Sequence, residues 1–359
     1  MSTLEELRRK IDEIDRDLVN LMNERAKVVI EIGNLKRNNQ VASPIYAPDR
    51  ERAVLDRVKS LNKGPLPDRC LVALYRELMS GSFYLERSLR IAYLGPEGSF
   101  SHTAAMLKFG QSVEYEPQAD IRGVFDEIAR EHCDFGIVPV ENSIAGGVLE
   151  TLDSLINSQV AICAEVPVAI HHNLLANCGL EEIKKVYSKP EVFAQCRNWL
   201  SATLPAAYTM ASPSTAQAAQ QAAKETNSAA IGSRLAAELY GLKIICENIE
   251  DFADNVTRFF VIGREPARRT GDDKTTLIFS TANKAGALVE CLKVFQKHNV
   301  NLTTIESRPS TKRAKEYYFF VDCDGHLDEE SIKKSVTELK DHCLQVSVLG
   351  SYPRAREVV

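Results

Sequence analysis

From Leu4 to Leu35 apolar residues recur at helical spacing: Leu4, Leu7, Ile11, Ile14, Leu18, Leu21, Val29 and Ile32. At about 100° per residue they form one stripe. Two cations interrupt it. Arg25 and Lys36 project onto the centre of the stripe, where the pattern calls for leucine or valine, and Arg8 falls on its flank, about 80° round by the same count. Cations are seldom buried without an anion, and no acid occupies the stripe, so the partner comes from elsewhere in the protein or from a ligand. The pattern predicts that this helix ends near Asn38-Asn39. A linker with Pro44 and Pro48 follows, then a second helix over 48–61 with proline at a favoured first-turn position. Gly64-Pro65-Leu66-Pro67 breaks the chain, and a third helix runs over 68–87. The first helix spans about 50 Å at about 1.5 Å per residue. Two shorter helices cannot cover it, so part of its stripe is expected to pack against a second subunit.

The other two helices repeat the anomaly. Arg50 lies on the stripe of Val54, Val58 and Leu61. Ser82 and Glu86, an i,i+4 pair, share the side that carries Leu71, Tyr75, Leu78 and Met79. A buried ion-pair network or a coiled-coil specificity device would produce similar patterns. Cations outnumber the acids on these faces, which favours a pocket for an anionic ligand.

At Leu89–Gly95 the character changes to a short strand running into a glycine turn. Up to Gly263, β-rich runs (135–140, 160–170, 229–231, 258–262) alternate with helical stretches (101–108, 121–131, 214–224, 234–240). The alternation predicts an α/β fold with a largely parallel sheet and two lobes around a cleft. A polar linker over 264–274 leads to a β-α-β-β-α-β pattern over 275–352, a ferredoxin-like module. It shows no nucleophile–base arrangement, which favours ligand sensing over chemistry.

With 359 residues, 44% hydrophobic and 26% charged, the chain has room for two or three domains. Its net charge of −5 and lack of basic blocks argue against a nucleic-acid surface. No uncharged run reaches transmembrane length and the start has no apolar h-region, so a soluble, cytoplasmic protein away from membranes is expected. Nine cysteines are scattered singly without CxxC spacing, as suits reduced thiols. His171-His172 follows an apolar run with no acid or cysteine at ligand spacing, which reads as a strand end. No metal and no cofactor are expected.

Three sets of strings carry a resemblance. LRRKIDEIDRDLVNLMNERAKVVIEIGNLK, YAPDRER and MSGSFYLER resemble the all-helical type of chorismate mutase. That resemblance implies that Arg8, Arg25 and Arg50 hold the substrate carboxylates, with Lys36 and Glu86 at the ether oxygen and Ser82 at the substrate hydroxyl. It also implies an interlocked dimer in which Arg8 crosses to the other subunit. Glu86 stands where some members carry glutamine; to donate to the ether oxygen it must be protonated, which needs a pKa raised by burial. GPEGSFS, VPVENSIAGGV, SKPEVFAQC and DNVTRF occur in the order and at the intervals of prephenate dehydratases. This implies a two-lobed fold similar to periplasmic binding proteins. Thr257 would be the essential hydroxyl, Arg258 and Phe259 would line the site, Glu141, Asn142 and Ser143 would face it, and Ser214 and Thr215 would contribute from a helix start. Arg258 has an equal reading as a structural ion pair with Asp251 or Asp254. NKAGALVECLKVF and TTIESRPS resemble a phenylalanine-binding ACT module, implying effector contacts at Gly286, Ala287, Leu288, Glu306, Ser307, Arg308 and Pro309.

The expected architecture is therefore multidomain. An all-α chorismate mutase domain spans 1–89, an α/β two-lobed dehydratase domain 90–265, and an α+β ferredoxin-like ACT domain 274–352. The whole resembles a bifunctional chorismate mutase–prephenate dehydratase of L-phenylalanine biosynthesis. Chorismate and prephenate would be its substrates, L-phenylalanine its allosteric effector, and the chain at least a homodimer. Two alternatives stand beside this: an arogenate-preferring dehydratase, and a non-catalytic amino-acid sensor whose helices only dimerise. A pure dimerisation helix would place leucine at positions 25 and 36.

Overall fold

A computed structural model describes residues 3–38, 45–309 and 316–359. Its helical segment holds α1 (Leu4–Asn38), α2 (Pro48–Leu61) and α3 (Asp68–Glu86), with proline opening α2 as predicted. Asn39 and Pro44, from the predicted helix end and linker, lie outside the described residues. Two compact units emerge. The first contains α1, residues 53–89 and residues 109–114; the second contains residues 48–52, 90–108 and everything from Tyr115 onward.

In the first unit α1 packs on α3. Met79 and Ser80 of α3 are buried, and the segment 109–114 closes over them. Gly110 sits at φ +75°, where a Cβ would meet the Ser80 Cβ at 2.6 Å. The Ser112 amide donates to Ser80 Oγ at 3.0 Å. Leu4, Leu7, Ile11, Ile14, Leu18 and Leu21, by contrast, are each between 45 and 64% exposed. The apolar stripe of α1 is left uncovered within one chain.

The second unit begins its sheets with β1 (Arg90–Leu94), followed by α4 (Phe100–Phe109), β2 (Glu114–Gln118), α5 (Ile121–Ala129), β3 (Phe135–Asn142), β4 (Gly146–Gly147), α6 (Leu149–Asn157) and β5 (Ala161–Ala169). The chain then crosses to a second lobe. That lobe comprises β6 (Asn173–Ala176), β7 (Lys185–Ser188), α7 (Pro190–Gln195), α8 (Arg197–Thr203), β8 (Tyr208–Ala211), α9 (Thr215–Ala222), β9 (Ser228–Gly232), α10 (Arg234–Tyr240) and β10 (Lys243–Cys246). It returns to the first lobe as β11 (Val256–Gly263). The sheet orders are β2-β1-β3-β11-β5, with β4 beside β3, and β10-β6-β9-β7-β8.

The sheets are mixed, which corrects the expectation of a largely parallel one. β1 and β3 are parallel, but β11 runs antiparallel to β3 and to β5. In the second lobe β7 is parallel to β8 and β9, while β6 is antiparallel to β9 and β10. A strand that re-enters a sheet from the opposite lobe arrives against the direction of its neighbours. The two crossings run side by side: the Ile170 amide donates to the Asn255 carbonyl at 2.8 Å, and the Ile249 amide to the His172 carbonyl at 2.8 Å. Glu250 ties them further, accepting from the His172 amide at 2.9 Å and facing His171 Nδ1 at 2.8 Å.

The C-terminal segment folds as β12 (Asp273–Ala282), α11 (Ala287–Lys297), β13 (Leu302–Pro309), β14 (Glu316–Asp324), α12 (Glu330–Leu339) and β15 (Gln345–Pro353). The order β13-β14-β12-β15 is that of the predicted βαββαβ module. Strand residues alternate between faces, and here both faces are apolar. Leu277, Phe279, Phe319 and Val321 meet residues of the helices α11 and α12. Ile278, Tyr318, Phe320, Leu349 and Tyr352 share a core with Val138, Val140, Phe260 and Ile262 of the first lobe. Gly350 permits this approach: a Cβ there would overlap the Ile162 backbone.

Candidate active sites

On α1, Arg25, Val29, Gly33 and Lys36 fall at spacings of four, four and three, one face of a helix. That face meets α3. Arg25 Nη1 donates to Ser82 Oγ at 2.7 Å, and Ser82 Oγ donates to the Leu78 carbonyl at 2.6 Å. One turn further along α3, Glu86 Oε1 accepts from Lys36 Nζ at 2.9 Å, with the side chains 15% and 25% exposed. Gly33 makes room for that pair, since a Cβ would stand 3.1 Å from Glu86 Cγ. Here the Glu86 carboxyl accepts from an ammonium, whereas a group that gives a hydrogen bond to an ether oxygen must carry a proton. The structure thus brings Arg25, Lys36, Ser82 and Glu86 together. Arg8 is exposed far toward the other end of α1, and Arg50 is exposed in the first turn of α2.

In the central α/β segment the β3–β11 register sets Asn142 opposite Thr257 and Glu141 opposite Arg258. Asn142 Oδ1 accepts from the amides of Ile144 and Ala145 at 3.1 and 3.0 Å. That fixes its amide orientation, and Nδ2 donates to both Thr257 Oγ1 and Asn255 Oδ1 at 2.8 Å. Thr257 therefore accepts from Asn142, and its own hydroxyl proton is left to donate elsewhere. Asn255, 1% exposed, passes the chain on: its Nδ2 donates to Gln195 Oε1 at 3.2 Å, which also faces His172 Nε2 at 2.7 Å. Burial holds the His172 pKa below its ordinary 6.5, against an opposing pull from the Gln195 contact, so the ring is neutral at pH 7. This polar chain runs from Thr257 into the crossings between lobes. Asn255 and Gln195 lay inside strings singled out in the sequence, DNVTRF and SKPEVFAQC, yet only the fold shows these two amides meeting.

Other expected members point elsewhere. Ser143 braces the entry of β11, donating to the Asp254 carbonyl at 3.1 Å and accepting from the Val256 amide at 3.0 Å. Phe259 is buried. Ser214 caps α9, accepting from the Gln217 amide at 3.0 Å, beside a buried Thr215. Arg258 and Glu141 lie on the other face of the sheet from Thr257. Arg258 lies on the face of β11 opposite Thr257, over the Phe260 ring. Its guanidinium meets Glu165 at 2.8 Å, Asp322 at 2.5 Å and the Tyr352 hydroxyl at 2.9 Å. The ion-pair reading holds, but Asp251 accepts from the Asn198 amide instead, and the partners lie on β5 and on the C-terminal sheet. Glu141 turns the same way, toward a cavity of about 30 Å³ that it lines with Arg258, Thr276, Thr304, Glu306 and Asp322.

The C-terminal motif divides as well. Exposure alternates along β13, so Glu306 and Arg308 face inward while Ser307 and Pro309 face out. Arg308 pairs with Asp153 of α6. The Glu306 carboxylate lies against Gly147, where any Cβ would overlap it. Burial first, then the charge of Glu141, raises the Glu306 pKa, against Arg308. Gly286, at φ +85°, opens α11 in a conformation that glycine adopts without strain, next to a buried Ala287 and a half-buried Leu288.

Comparison with known proteins decides the family. The chorismate mutase type II family matches residues 7–87, the prephenate dehydratase family 91–267 and the ACT domain 275–341. The bifunctional chorismate mutase/prephenate dehydratase of Aquifex aeolicus (strain VF5) is 44% identical over 360 residues, which cover 99% of each chain. The chain belongs to the bifunctional chorismate mutase/prephenate dehydratase family. A second member of the family, from Escherichia coli (strain K12), is 33% identical over 97% of this chain and 95% of its own. Among solved structures, a prephenate dehydratase from Arthrobacter aurescens in complex with L-Phe superposes with a TM-score of 0.70 at 33% identity, covering 76% of this chain and 92% of that one. As a family member the chain is an enzyme with two activities, a mutase and a dehydratase, joined to an ACT regulatory domain in phenylalanine biosynthesis. The reading as a non-catalytic sensor falls.

Proposed function

We propose that the two active sites and the effector site are built as follows. Arg25 and Arg50 hold the carboxylates of chorismate, Ser82 holds its hydroxyl, and Lys36 with Glu86 brackets the ether oxygen. The rearrangement to prephenate is unimolecular and needs no nucleophile. The protein holds the reactive conformer and stabilises charge growing on the ether oxygen, and guanidinium forks suit carboxylates. Arg8 and Arg25 stand about 25 Å apart along α1 at about 1.5 Å per residue, too far to clamp one small molecule. Arg8 therefore serves the site of a second copy, and the uncovered stripe of α1 forms the seam of a homodimer.

In the dehydratase, CO₂ leaves with its bonding pair entering the ring while the ring hydroxide departs with its own pair and takes a proton to become water. Thr257 donates a hydrogen bond to that departing oxygen. Its unperturbed hydroxyl is too weak an acid for full protonation, but a positioned donor at developing charge is effective. The observation that carries this assignment is the fixed Asn142 amide, which donates to Thr257 Oγ1 and directs the hydroxyl proton outward. Arg258 acts behind the strand as an ion-pair anchor. L-phenylalanine binds at Gly286–Leu288 with the outward residues of β13, the last strand of its sheet, where a second copy completes the site. The enzyme works in the cytoplasm without a cofactor.

The decisive experiment is Thr257→Ala in the full chain, with chorismate as substrate. Phenylpyruvate formation is expected to disappear while chorismate consumption continues and prephenate accumulates. Loss of both activities would refute two separate sites.

A further inference from the structure

The hydrogen-bond chain behind Thr257 has a direction, and that direction is set at one end. An amide nitrogen only donates and an amide oxygen only accepts. The backbone N–H groups of Ile144 and Ala145 claim Asn142 Oδ1, so Asn142 Nδ2 faces Asn255 and donates to its Oδ1 at 2.8 Å. Asn255 then turns its own Nδ2 to Gln195, donating to Oε1 at 3.2 Å. The Gln195 oxygen is thereby an acceptor, so His172 Nε2, 2.7 Å from it, must carry a proton. Each polarity follows from the one before. Together they leave His172 one neutral tautomer, with the proton on Nε2 and a lone pair on Nδ1. Nδ1 is buried with no hydrogen-bond partner among the described residues. A proton placed there would find no acceptor, which opposes the other tautomer a second time.

The ring is held firmly enough to set others. His172 is 1% exposed, and the Phe100 ring meets it at 78° with centroids 5.6 Å apart. Its backbone amide donates to Glu250 and its carbonyl accepts from Ile249. Gln195, at the end of α7, receives two donors on one oxygen; turned over, it would set its own NH₂ against both of them. We propose that His172 is a positioning residue of the dehydratase. Its Nε2–H pins Gln195 Oε1, Gln195 holds the Asn255 amide, and Asn255 keeps the Asn142 NH₂ aimed at Thr257. What the relay supplies is orientation. A Thr257 hydroxyl that accepts from Asn142 has its proton free for the departing oxygen, whereas one that turned to donate to an amide oxygen would not. The proposal rests on the reading of Thr257 as that donor.

The test assays full-length variants with prephenate. His172→Leu is expected to lower dehydratase kcat about tenfold, the loss of one buried hydrogen bond, with KM within about twofold because the substrate contacts remain. His172→Gln, whose amide nitrogen reaches the Nε2 position, recovers most of the rate. His172→Asn, which is too short to do so, does not. In an Asn255→Ala background the relay is already cut, so adding His172→Leu costs less than about twofold more. The full loss in that background would mark a merely structural role and overturn the proposal, as would the parent kcat in His172→Leu or equal rates in the Gln and Asn variants. A measurement on the parent chain needs no variant to fold: nitrogen NMR of isotopically labelled histidine is expected to place the His172 proton on Nε2 at neutral pH. A proton on Nδ1, or on both nitrogens, would overturn the assignment. Thr257→Ala separates the premises. If it still forms phenylpyruvate, the Thr257 reading fails and the role of His172 with it; if it is inactive while His172→Leu runs at the parent rate, the His172 proposal alone fails.

Discussion

At the scale of single residues, protons decide both chemistries. Glu86 accepts from Lys36 in this structure, and the mutase reaction asks for a donor at the ether oxygen. Glutamine supplies an amide donor there and alanine supplies none, so Glu86→Gln is expected to keep mutase activity and Glu86→Ala to lose about 10²-fold in kcat/KM. Equal activity in the two variants would take Glu86 out of the mechanism. Thr257 illustrates the other case, where direction matters more than acidity: Asn142 occupies its acceptor side and leaves one proton to give. Arg25, Lys36 and Glu86 were legible in the sequence because a charge on an apolar stripe is a local anomaly, visible at helical spacing. Gln195 and Asn255 were not. Their amides meet across 60 residues of chain, and no periodicity records such a meeting. Arg258 was half legible: its need for an anion was clear, but not which face of the sheet would supply it.

At the scale of elements, alternation on β13 assigns one short motif to two tasks. Ser307 and Pro309 face outward, where the proposed effector site lies, while Glu306 and Arg308 grip the catalytic lobe at Gly147 and Asp153. The raised pKa of Glu306 makes this grip dependent on pH. A carboxyl whose folded pKa lies above its ordinary 4.5 binds protons more tightly when folded, so its contribution is present at low pH and lost as pH rises through the folded value. Glu306→Gln is accordingly expected to melt higher than the parent at pH 8, with the gap closing below about pH 4.5. A gap of equal size at both ends would remove the titration from the account. All three helices of the first segment were predicted within a few residues, but the nine-residue helix α6 was not. The four-residue strands β6, β7, β8 and β10 were not, because so short a run, buried or not, carries too few positions to show a period.

At the scale of the whole molecule, the proposed mutase site shared by two chains rests on the exposed stripe of α1 and the distance between Arg8 and Arg25. A mixing experiment tests this directly. Arg8→Ala and Arg25→Ala are each expected to lose most mutase activity. Unfolded together and refolded, half the dimers combine one chain of each kind, and each such dimer carries one intact site and one doubly altered site. About a quarter of the parent activity should return, as statistical pairing in a two-fold dimer requires. No recovery above the separate variants would place Arg8 and Arg25 in unrelated sites.

The place of β11 bears on how the enzyme is made. It is the fourth strand of the first-lobe sheet, seated between β3 and β5, yet it follows the entire second lobe in the chain. A ribosome releases β3 and β5 long before the strand that must lie between them. The inner lobe, whose strands are all present once β10 has emerged, is free to fold first, while β3 and β5 wait with open edges. The outer sheet closes late, through contacts distant in sequence that form slowly, and its remaining apolar face is covered only when the regulatory sheet follows. During synthesis, then, the dehydratase's two lobes mature from the inside outward, in the reverse of the order in which they begin.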